Sequence, residues 1–394
     1  MPGFELIGEE ERKAVNKLFD DGGVLFAHGF DKLRNGRYHV REFEAKFAKR
    51  VGVKYAQAVS SGTAAIKVAL IALGVKPGDE VITQAFTFVA TVEAIIDVGA
   101  KPVLVNIDKS LNMDPDALES AITSKTKVIM PVHMLGVACD QDKIHRIAKK
   151  HNIFILDDSC EALGAEWEGK PLGISSDVST WSFDYGKTIV CGEGGMITTN
   201  NKELYLLSRE YHDHGHMNNI ELPRGQDTHR IHGFNYRMTE IQAVIASVQL
   251  DKMDYIVQKN REYYAYLESE LASIEEINFR KIPSKCNPLC DTLIISFEDK
   301  KVANMLVDKL IENQFSTKNV PDAIEWHFAK YWDHMLEEFQ MSKQELYKYL
   351  APSSEIIEKS VALPIMIAID FKEVKKQAIK IKNLVKSVIN IEMD

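Results

Sequence analysis

This chain of 394 residues has few cysteines, no excess of basic charge and no long apolar run. Its five cysteines are widely spread, which is typical of reduced thiols in a cytoplasm rather than of a disulfide framework. Cys286 and Cys290 form a pair in "CNPLC", but no second pair accompanies them. A four-ligand zinc site is therefore not expected, and we predict no metal.

Charge and hydropathy exclude two further classes of protein. The formal net charge is -9 and no basic block stands out, so neither a nucleic acid nor an anionic membrane is an expected partner. The most apolar stretch, "TFVATVEAIIDVGAKPVLV", is interrupted by Glu93, Asp97 and Lys101, too soon for a membrane span. The first residues, "MPGFELIGEEERKAV", lack the basic start and the apolar centre of a signal peptide. We therefore expect a cytoplasmic protein.

Apolar periodicity alternates between strand and helix as far as residue 236. Short runs such as "YAQAVS", "DEVITQ" and "IFILDD" predict strands, whereas "SGTAAIKVALIALG" and "CDQDKIHRIAKKHN" predict helices. Strands separated by helices of about ten to fifteen residues indicate βαβ units and a largely parallel sheet. Beyond residue 236 a long helical stretch is followed by mixed segments. We predict a large domain at 1–250, with an N-terminal arm at about 1–20, and a small domain at 251–394.

Two polar motifs follow predicted strands, where ligands bind in open α/β sheets. In "SSGTA" a helix begins around Gly62, and the free N–H groups of a helix start suit a phosphate, although a plain N-cap explains the same residues. In "ILDDSCEALG" the strand ends at Asp157 and Asp158, and Glu161 follows one helical turn later. Taken alone, these acids also fit a metal site or a helix cap.

A third motif, "WSFDYGKTIVCGEGG", places Lys187 between aromatic and apolar neighbours instead of polar ones. A phosphate cradle, a carboxylate and a half-buried lysine together are what pyridoxal 5'-phosphate requires. The lysine amine forms a Schiff base with its aldehyde, and the carboxylate keeps its ring nitrogen protonated, so that the ring withdraws electrons. An ion pair at ~4 Å with an effective dielectric of ~20 contributes about 4 kcal/mol, which suffices to hold that proton at neutral pH.

From about Glu9 to the long helix near residue 260, the sequence resembles the DegT/DnrJ/EryC1/StrS family of sugar aminotransferases. The resemblance is carried by "VGVKYAQAVSSGTAAIKVAL", "PGDEVITQAFTFVATVEAI", "DDSCEALGAEWEGKPLG", "SFDYGKTIVCGEGGMITTN" and "GFNYRMTEIQAV", whereas the last 120 or so residues match far less well. It implies the fold of type I pyridoxal phosphate enzymes: a large domain with a mostly parallel seven-stranded sheet flanked by helices, and a smaller α+β C-terminal domain. It also implies amino transfer from L-glutamate to a keto sugar.

The same resemblance implies roles for individual residues. Lys187 is expected to form the Schiff base and then to move the proton, and Asp158 to bond the pyridine nitrogen. Members that dehydrate the sugar carry histidine at the lysine position, so Lys187 favours transamination. The other expected cofactor contacts are Glu161 near the phenolic oxygen, Phe88 on the ring, Gly62, Thr63 and Ser182 at the phosphate, and Asn235 at the phosphate of the neighbouring subunit. The contact of Asn235 implies a homodimer with shared active sites.

The acceptor is predicted from the small domain. The segment "STKNVPDAIEWHFAKYWDHM" is similar to enzymes that make 8-amino-3,8-dideoxy-octulosonate for lipopolysaccharide. The predicted acceptor is then 8-oxo-3-deoxy-D-manno-octulosonate, whose carboxylate suits a cation such as Lys318 or Arg37, with His327 close by. One alternative is an aminotransferase for a 3- or 4-keto nucleotide-linked deoxyhexose. Another is a non-catalytic regulatory homologue, which the intact set around Lys187 disfavours.

Several residues keep two interpretations at this point. Asp184 either contacts substrate or orders the loop, and His133 either packs or touches substrate. The alternating histidines of "HDHGH" indicate a loop at the mouth of the site more than a metal centre, because no acidic or cysteine cluster accompanies them. The basic segment "RNGRYHVR" is either a solvated face or a binding site for a carboxylate or phosphate. The residues concerned are His212, His214 and His216, and Arg34, Arg37 and Arg41.

Overall fold

The computed structural model describes residues 2–219 and 221–393 and is built around a seven-stranded sheet. Five strands lie side by side in parallel, and the reversed strand Gly195–Thr199 joins them to Tyr55–Val59, which runs in their direction. This confirms the predicted mostly parallel sheet. In spatial order the strands are Tyr55–Val59, Gly195–Thr199, Val178–Ser182, Phe154–Asp158, Thr126–Met130, Glu80–Gln84 and Lys101–Val105.

Helices flank this sheet, and for that reason its strands are buried along most of their length. Every residue of Glu80–Gln84, Val178–Ser182 and Gly195–Thr199 is buried. The helices of this part of the chain are Pro2–Glu5, Glu9–Asp20, His39–Val51, Gly62–Ala72, Val89–Asp97, Pro115–Ala121, Gln141–His151 and Lys202–Tyr211, with short 3-10 turns at Met134–Gly136 and Arg224–Gln226.

The second, smaller layer is an antiparallel sheet covered by helices. Its strands are Asn278–Phe279, Thr292–Ser296 and Ser360–Pro364. Its helices are Lys300–Glu312, Ile324–His327, Leu336–Phe339, Lys343–Tyr349, Ala351–Glu358 and Phe371–Met393, with 3-10 turns at Ala329–Tyr331 and Asp333–Met335. A further small sheet joins Glu166–Trp167, Lys170–Pro171 and Cys286–Asn287. The architecture is therefore the α/β fold with an α+β addition that the sequence predicts.

A single long helix, Glu240–Leu271, connects the two layers. Thr239 starts it with a capping box, because its side chain accepts from the backbone N–H of Gln242 while the Gln242 side chain accepts from Thr239. The helix packs against His39–Val51 near its start and against Phe371–Met393 in the small layer. The boundary predicted at residue 250 falls inside this helix and stays a prediction. Among the helices of residues 2–219 and 221–393, none combines the length and apolar composition of a membrane crossing.

Candidate active site

A cavity of ≈ 520 Å³ lies at the carboxyl ends of the parallel strands, between the large sheet and the small layer. The three motifs of the large domain line it on one side, and Lys318 and His327 of the small domain line it on the other. All of the predicted site residues except Asn235 and Arg37 contribute to its wall. The predicted residues in the wall are Gly62, Thr63, Phe88, Asp158, Glu161, Ser182, Asp184, Lys187, Lys318 and His327.

Lys187 reaches into the cavity from the loop after strand Val178–Ser182, and its partner is Glu161. The Lys187 Nζ lies 3.4 Å from the Glu161 Oε1, and the two side chains are only 15% and 12% exposed. Burial lowers the pKa of the Lys187 ammonium, but the carboxylates of Glu161, Asp184 and Asp158 outweigh burial, so that the pKa is raised overall. The amine is therefore charged at neutral pH and is held in the cavity by an ion pair.

Glu161 is in turn held by the backbone of a neighbouring turn. Its Oε2 accepts a hydrogen bond of 3.1 Å from the Leu135 backbone N–H. Burial raises the pKa of this carboxyl, but the Lys187 ammonium, followed by His327 and Lys318, lowers it to about 2. A carboxylate thus stands beside the reactive amine at neutral pH, fixed on one oxygen by Lys187 and on the other by Leu135.

The adjacent acids Asp157 and Asp158 point to opposite faces of the sheet, because successive side chains of a strand alternate. Asp158 lines the cavity, where its Oδ2 accepts from the Thr91 hydroxyl at 2.9 Å and its Oδ1 from the Cys160 N–H at 3.2 Å. Asp157 lies on the other face, fully buried, with its Oδ2 3.6 Å from the Nε2 of His133. Asp158 is therefore the acid available to a ligand.

His133 belongs to the packed face behind the strand and does not line the cavity. Its Nδ1 accepts from the Cys139 backbone N–H at 3.1 Å, and its Nε2 faces Asp157. Burial lowers the pKa of His133, but the Asp157 carboxylate overcomes burial and raises the pKa to about 10. Of the two interpretations of this residue, packing is the one that the structure supports.

The helix Gly62–Ala72 begins at the edge of the cavity. The Ser61 hydroxyl accepts from the Ala64 N–H at 3.0 Å, so that the N-cap interpretation is correct in itself. The first turn of a helix also leaves N–H groups without intrahelical partners, and here Gly62 and Thr63 both line the cavity. A Cβ at Gly62 would lie 2.8 Å from the Ser182 Cβ, which explains why this helix start requires glycine. The start of this helix can therefore be capped by Ser61 and still bind an anion through its free N–H groups.

The small layer closes the cavity with aromatic and basic side chains. Phe88 stacks against Trp326 with ring centroids 6.4 Å apart, and its ring is tilted by 49° relative to that of His327 at 5.3 Å. The Nδ1 of His327 lies 2.8 Å from the Ala323 carbonyl oxygen. Burial is the main cause that lowers the pKa of this imidazole, and the nearby charges of Lys187 and Lys318 lower it further. These contacts place a half-exposed aromatic ring and an uncharged imidazole beside the reactive lysine at neutral pH.

Lys318 lines the cavity but already has a carboxylate partner. Its Nζ donates to the Asp291 Oδ2 at 2.6 Å, and the two side chains are 11% and 7% exposed. A buried ion pair of this kind is costly to break, because separation leaves two desolvated charges without partners. Lys318 is therefore positioned in the wall as a neutralised cation.

The loop that carries Lys187 is ordered by its own residues and by the first residues of the chain. The Asp184 Oδ1 accepts from the Gly186 N–H at 3.1 Å, which supports the loop-ordering interpretation of Asp184. The Gly3 N–H donates to the Lys187 carbonyl at 3.2 Å, and the Phe4 ring stacks on Tyr185 with centroids 4.6 Å apart. A Cβ at Gly3 would lie 2.7 Å from that carbonyl oxygen. The N-terminal segment therefore packs directly against the reactive loop.

Two predicted site residues lie away from this cavity. Arg37 donates to Asp21 at 3.3 Å and to Glu42 at 3.0 Å near the start of helix His39–Val51, so it belongs to a surface ion-pair cluster. Asn235 is exposed, and its side chain accepts from the Arg237 N–H at 3.3 Å. A role of Arg37 at the acceptor has no support from this position, whereas Asn235 was predicted for the neighbouring subunit's site and that prediction stays open.

The remaining basic and histidine motifs form contacts of their own. Arg34 is buried against Glu240, and Arg41 lies over the Tyr38 ring at 4.0 Å. The imidazole of His212 is buried, which lowers its pKa to about 4, and His216 lies 3.4 Å from Asp227. Within the residues that the structure describes, no group of three or more histidine, cysteine or acidic side chains could hold a metal ion.

Two contributors to the site escaped the sequence-based prediction. Thr91 orients Asp158, and its hydroxyl also lies 2.7 Å from that of Thr87. Their spacing of four residues at a helix start is a signal that could have placed both on one face. Arg280, which binds the turn containing Leu135, gave no signal, because it is a lone arginine in a weakly patterned segment.

Comparisons with known proteins agree with this geometry. The model of the DegT/DnrJ/EryC1/StrS aminotransferase family matches residues 11–382. GDP-perosamine synthase of Escherichia coli O157:H7 is 39% identical over 308 residues, 77% of this chain and 81% of that protein. GDP-perosamine synthase of Caulobacter vibrioides is 42% identical over 245 residues, 61% of this chain and 63% of that protein. The crystal structure of 3-amino-5-hydroxybenzoic acid synthase has a TM-score of 0.85 at 28% identity, covering 98% of both chains.

Proposed function

The chain belongs to the DegT/DnrJ/EryC1/StrS aminotransferase family, and on that premise we propose that its acceptor is a 3- or 4-keto deoxyhexose linked to a nucleotide. The protein is a sugar aminotransferase that depends on pyridoxal 5'-phosphate. We further propose that the amino donor is L-glutamate. The acceptor and the donor are the two proposals that the experiment below tests.

The residues of the cavity fit the cofactor. Gly62 and Thr63 at the helix start, with the Ser182 hydroxyl beside them, would hold its phosphate. Asp158, oriented by Thr91, would hold its ring nitrogen. Phe88 offers an exposed ring face for stacking. When bound, the cofactor supplies a reactive aldehyde and a ring that withdraws electrons from the carbon that loses its proton.

Each of this chain's polar groups then has a defined task. Lys187 would hold the cofactor through its amine, and its Nζ would also take up a substrate proton and give it back. Glu161 keeps the Lys187 amine aimed into the cavity and stabilises the charge that it acquires with the proton. Asp158 is oriented by two donors, and its carboxylate would pair with the ring nitrogen of the cofactor and favour the protonated form of that nitrogen. The small layer covers the cavity and limits the access of water.

The choice between the two candidate acceptors depends on whether Lys318 or Arg37 is free to bind a carboxylate. A sugar acid such as 8-oxo-3-deoxy-D-manno-octulosonate presents a carboxylate that needs a free cation. Lys318 is engaged with Asp291 at 2.6 Å, and Arg37 lies outside the cavity in its own ion-pair cluster. The sugar ring of a nucleotide-linked keto deoxyhexose has no carboxylate, so the part of the acceptor that reaches Lys187 needs no free cation; its charged diphosphate is a separate group, attached at another carbon of the ring. The names of the two GDP-perosamine synthases, which refer to a GDP-linked amino sugar, support the same choice.

The position of Asn235 supports the proposal of a shared active site. The residue is exposed and does not line the cavity of its own chain. Its neighbour in the sequence, Phe234, is a large apolar side chain that is 48% exposed. A homodimer that covers this face would bring Asn235 towards the partner's cofactor phosphate.

The acceptor is tested by supplying the holoenzyme with L-glutamate and one keto sugar at a time, while 2-oxoglutarate release is followed. We expect turnover with a GDP-linked 4-keto deoxyhexose or a related nucleotide sugar, and little with 8-oxo-3-deoxy-octulosonate. The Lys187→Ala variant serves as the control, because it should release no 2-oxoglutarate with any acceptor. Efficient turnover of the sugar acid alone would refute the proposed acceptor and leave the aminotransferase activity intact.

A further inference from the structure

Arg280 is a buried arginine of the small layer whose guanidinium reaches a turn of the large domain. Its side chain is 8% exposed, and its donors are directed at backbone and amide oxygens. The Nε donates to the Ser110 carbonyl at 2.6 Å, and Nη2 donates to the Met134 carbonyl at 3.0 Å and to the Asn112 Oδ1 at 3.3 Å. The Nη1 lies 3.5 Å from the Leu135 carbonyl. One side chain thus holds two segments of the large domain together, the loop 110–112 and the turn at 134–135.

The surroundings of this guanidinium are unusual for a buried charge. In residues 2–219 and 221–393, the atoms that accept its hydrogen bonds are carbonyl and carboxamide oxygens, and none belongs to a carboxylate. Burial lowers the pKa of Arg280 to about 10. A buried charge without an ion-pair partner is costly. We therefore expect this guanidinium to have a structural role, namely to fix the conformation of the turn that it binds.

That turn is the 3-10 segment Met134–Gly136, and its central residue has a strained backbone. Leu135 has φ 51 and ψ 44, the left-handed region that a leucine rarely adopts. Such a conformation persists only where the surroundings hold it. Asn112 shares this task with Arg280, because its Oδ1 accepts from the Met134 N–H at 3.1 Å and its Nδ2 donates to the Val137 carbonyl at 2.9 Å.

The strained turn aims one donor at the active site. With Leu135 in the left-handed region, its N–H points to the Glu161 Oε2 at 3.1 Å, while the Glu161 Oε1 faces the Lys187 amine at 3.4 Å. A contiguous path of contacts therefore leads from Arg280 through the turn and Glu161 to the reactive amine. Every link in this path is a hydrogen bond or an ion pair between buried or largely buried groups.

We propose that Arg280 is a positioning residue for Lys187: it fixes the Met134–Gly136 turn, which holds the Glu161 carboxylate beside the reactive amine. Arg280 itself touches neither the cavity nor its ligands. Without the guanidinium the turn relaxes, Glu161 loses the Leu135 N–H, and its carboxylate moves away from Lys187. The inference rests on the aminotransferase activity but not on the identity of the acceptor sugar.

The test measures Lys187 directly in the full-length chain after the cofactor has been released with hydroxylamine. Acetic anhydride acylates only the uncharged amine. The labelling rate at Lys187 is read by peptide mass spectrometry across a pH series. It reports how strongly Glu161 stabilises the protonated form of the Lys187 amine. Relative to the unmodified chain, we expect Arg280→Met to raise the rate near neutral pH by at least about threefold. We expect Glu161→Gln to raise it by about tenfold.

A double variant separates positioning from plain destabilisation. If Arg280 acts through Glu161, then Arg280→Met adds nothing to the labelling rate of a chain that already carries Glu161→Gln. The matched control is Arg34→Met, since Arg34 is equally buried and donates to the carbonyls of Phe26 and Arg37 but lies away from the turn. It should leave Lys187 labelling unchanged, even where it lowers the melting temperature.

The holoenzyme gives a second readout, the pH dependence of the absorbance of the bound cofactor, which should shift in the same order across the variants. Arg280→Lys keeps a buried cation with fewer donors and should lie between the unmodified chain and Arg280→Met. If neither Arg280 variant folds, Asn112→Ser loosens the same turn and serves in their place. The proposal fails if labelling and absorbance stay unchanged while stability falls, or if the effect of Arg280→Met persists in the Glu161→Gln background.

Discussion

Replacing Glu161 with glutamine removes a charge from the centre of the cavity while it preserves the size of the side chain. With an effective dielectric of ~20, two charges at the observed Lys187–Glu161 separation of 3.4 Å attract each other by about 5 kcal/mol, an upper bound. The lowering of the Glu161 pKa, to about 2 from its usual 4.5, corresponds to about 3 kcal/mol in favour of the ionised form. This smaller figure already includes the cost of burial and the contributions of His327 and Lys318.

The sign of the pH dependence follows from the direction of this shift. Because the folded pKa lies below the unfolded one, the carboxylate stabilises the fold fully above about pH 4.5, and the stabilisation is lost as the pH falls towards about 2. At neutral pH we expect Glu161→Gln to lower the free energy of unfolding of the cofactor-free chain by up to about 3 kcal/mol. That difference should shrink as the pH is lowered through this window.

Urea unfolding of both chains at a series of pH values measures this difference. A matched control is Glu345→Gln, because Glu345 is an exposed carboxylate that only caps the short helix Lys343–Tyr349, far from the cavity. Its replacement should cost about 1 kcal/mol or less. A Glu161→Gln difference that stays constant from neutral pH into the acid range would falsify the reasoning, since the ion pair with Lys187 would then contribute nothing that depends on ionisation.

Three further predictions concern the catalytic groups. Borohydride reduction of the holoenzyme should attach the cofactor to Lys187, as peptide mapping can verify, and Lys187→Ala should abolish turnover while near-UV circular dichroism stays native; label on another lysine would contradict the assignment. Asp158→Asn should slow proton abstraction by about two to three orders of magnitude, for a loss of about 4 kcal/mol, whereas Asp157→Asn should instead reduce stability by disturbing His133; a near-normal rate for Asp158→Asn would show that another acid serves the ring nitrogen. Mixing inactive Lys187→Ala with inactive Asn235→Asp should restore partial activity if Asn235 acts across a dimer interface, because a hybrid dimer holds one intact site, and an absence of recovery despite proven subunit exchange would place Asn235 within its own chain.

The sequence predicts well those features that depend on neighbours along the chain. The strand ending in "ILDD", the helix start in "SSGTA" and the half-buried Lys187 all lie where their local patterns indicate, and they meet at one edge of the sheet because the strands are parallel. The choice between Asp157 and Asp158 also follows from the alternation of a strand, once the face that carries the cavity is known.

Features that depend on distant partners could not be predicted in the same way. Lys318 and Arg37 are cations that suit a carboxylate, but their availability is decided by Asp291 and Asp21, which the fold brings to them from elsewhere in the chain. The octulosonate acceptor was predicted from the resemblance of the segment around Lys318, and the engagement of those cations removes the contacts that were expected to suit its carboxylate. Arg280 is the opposite case, because nothing in its local sequence indicates that it reaches the turn beside Glu161.

The contact between the N-terminal segment and the reactive loop has a consequence for the order of events in folding. Gly3 and Lys187 are separated by nearly half the chain, so the hydrogen bond between them closes a very long loop and can form only after the intervening sheet has assembled. Formation of this bond is therefore a late step, and the loop that carries the reactive amine acquires its final order with it. Since the Gly3 amide proton is protected by the Lys187 carbonyl, its rate of hydrogen–deuterium exchange reports how often this loop opens in the folded enzyme.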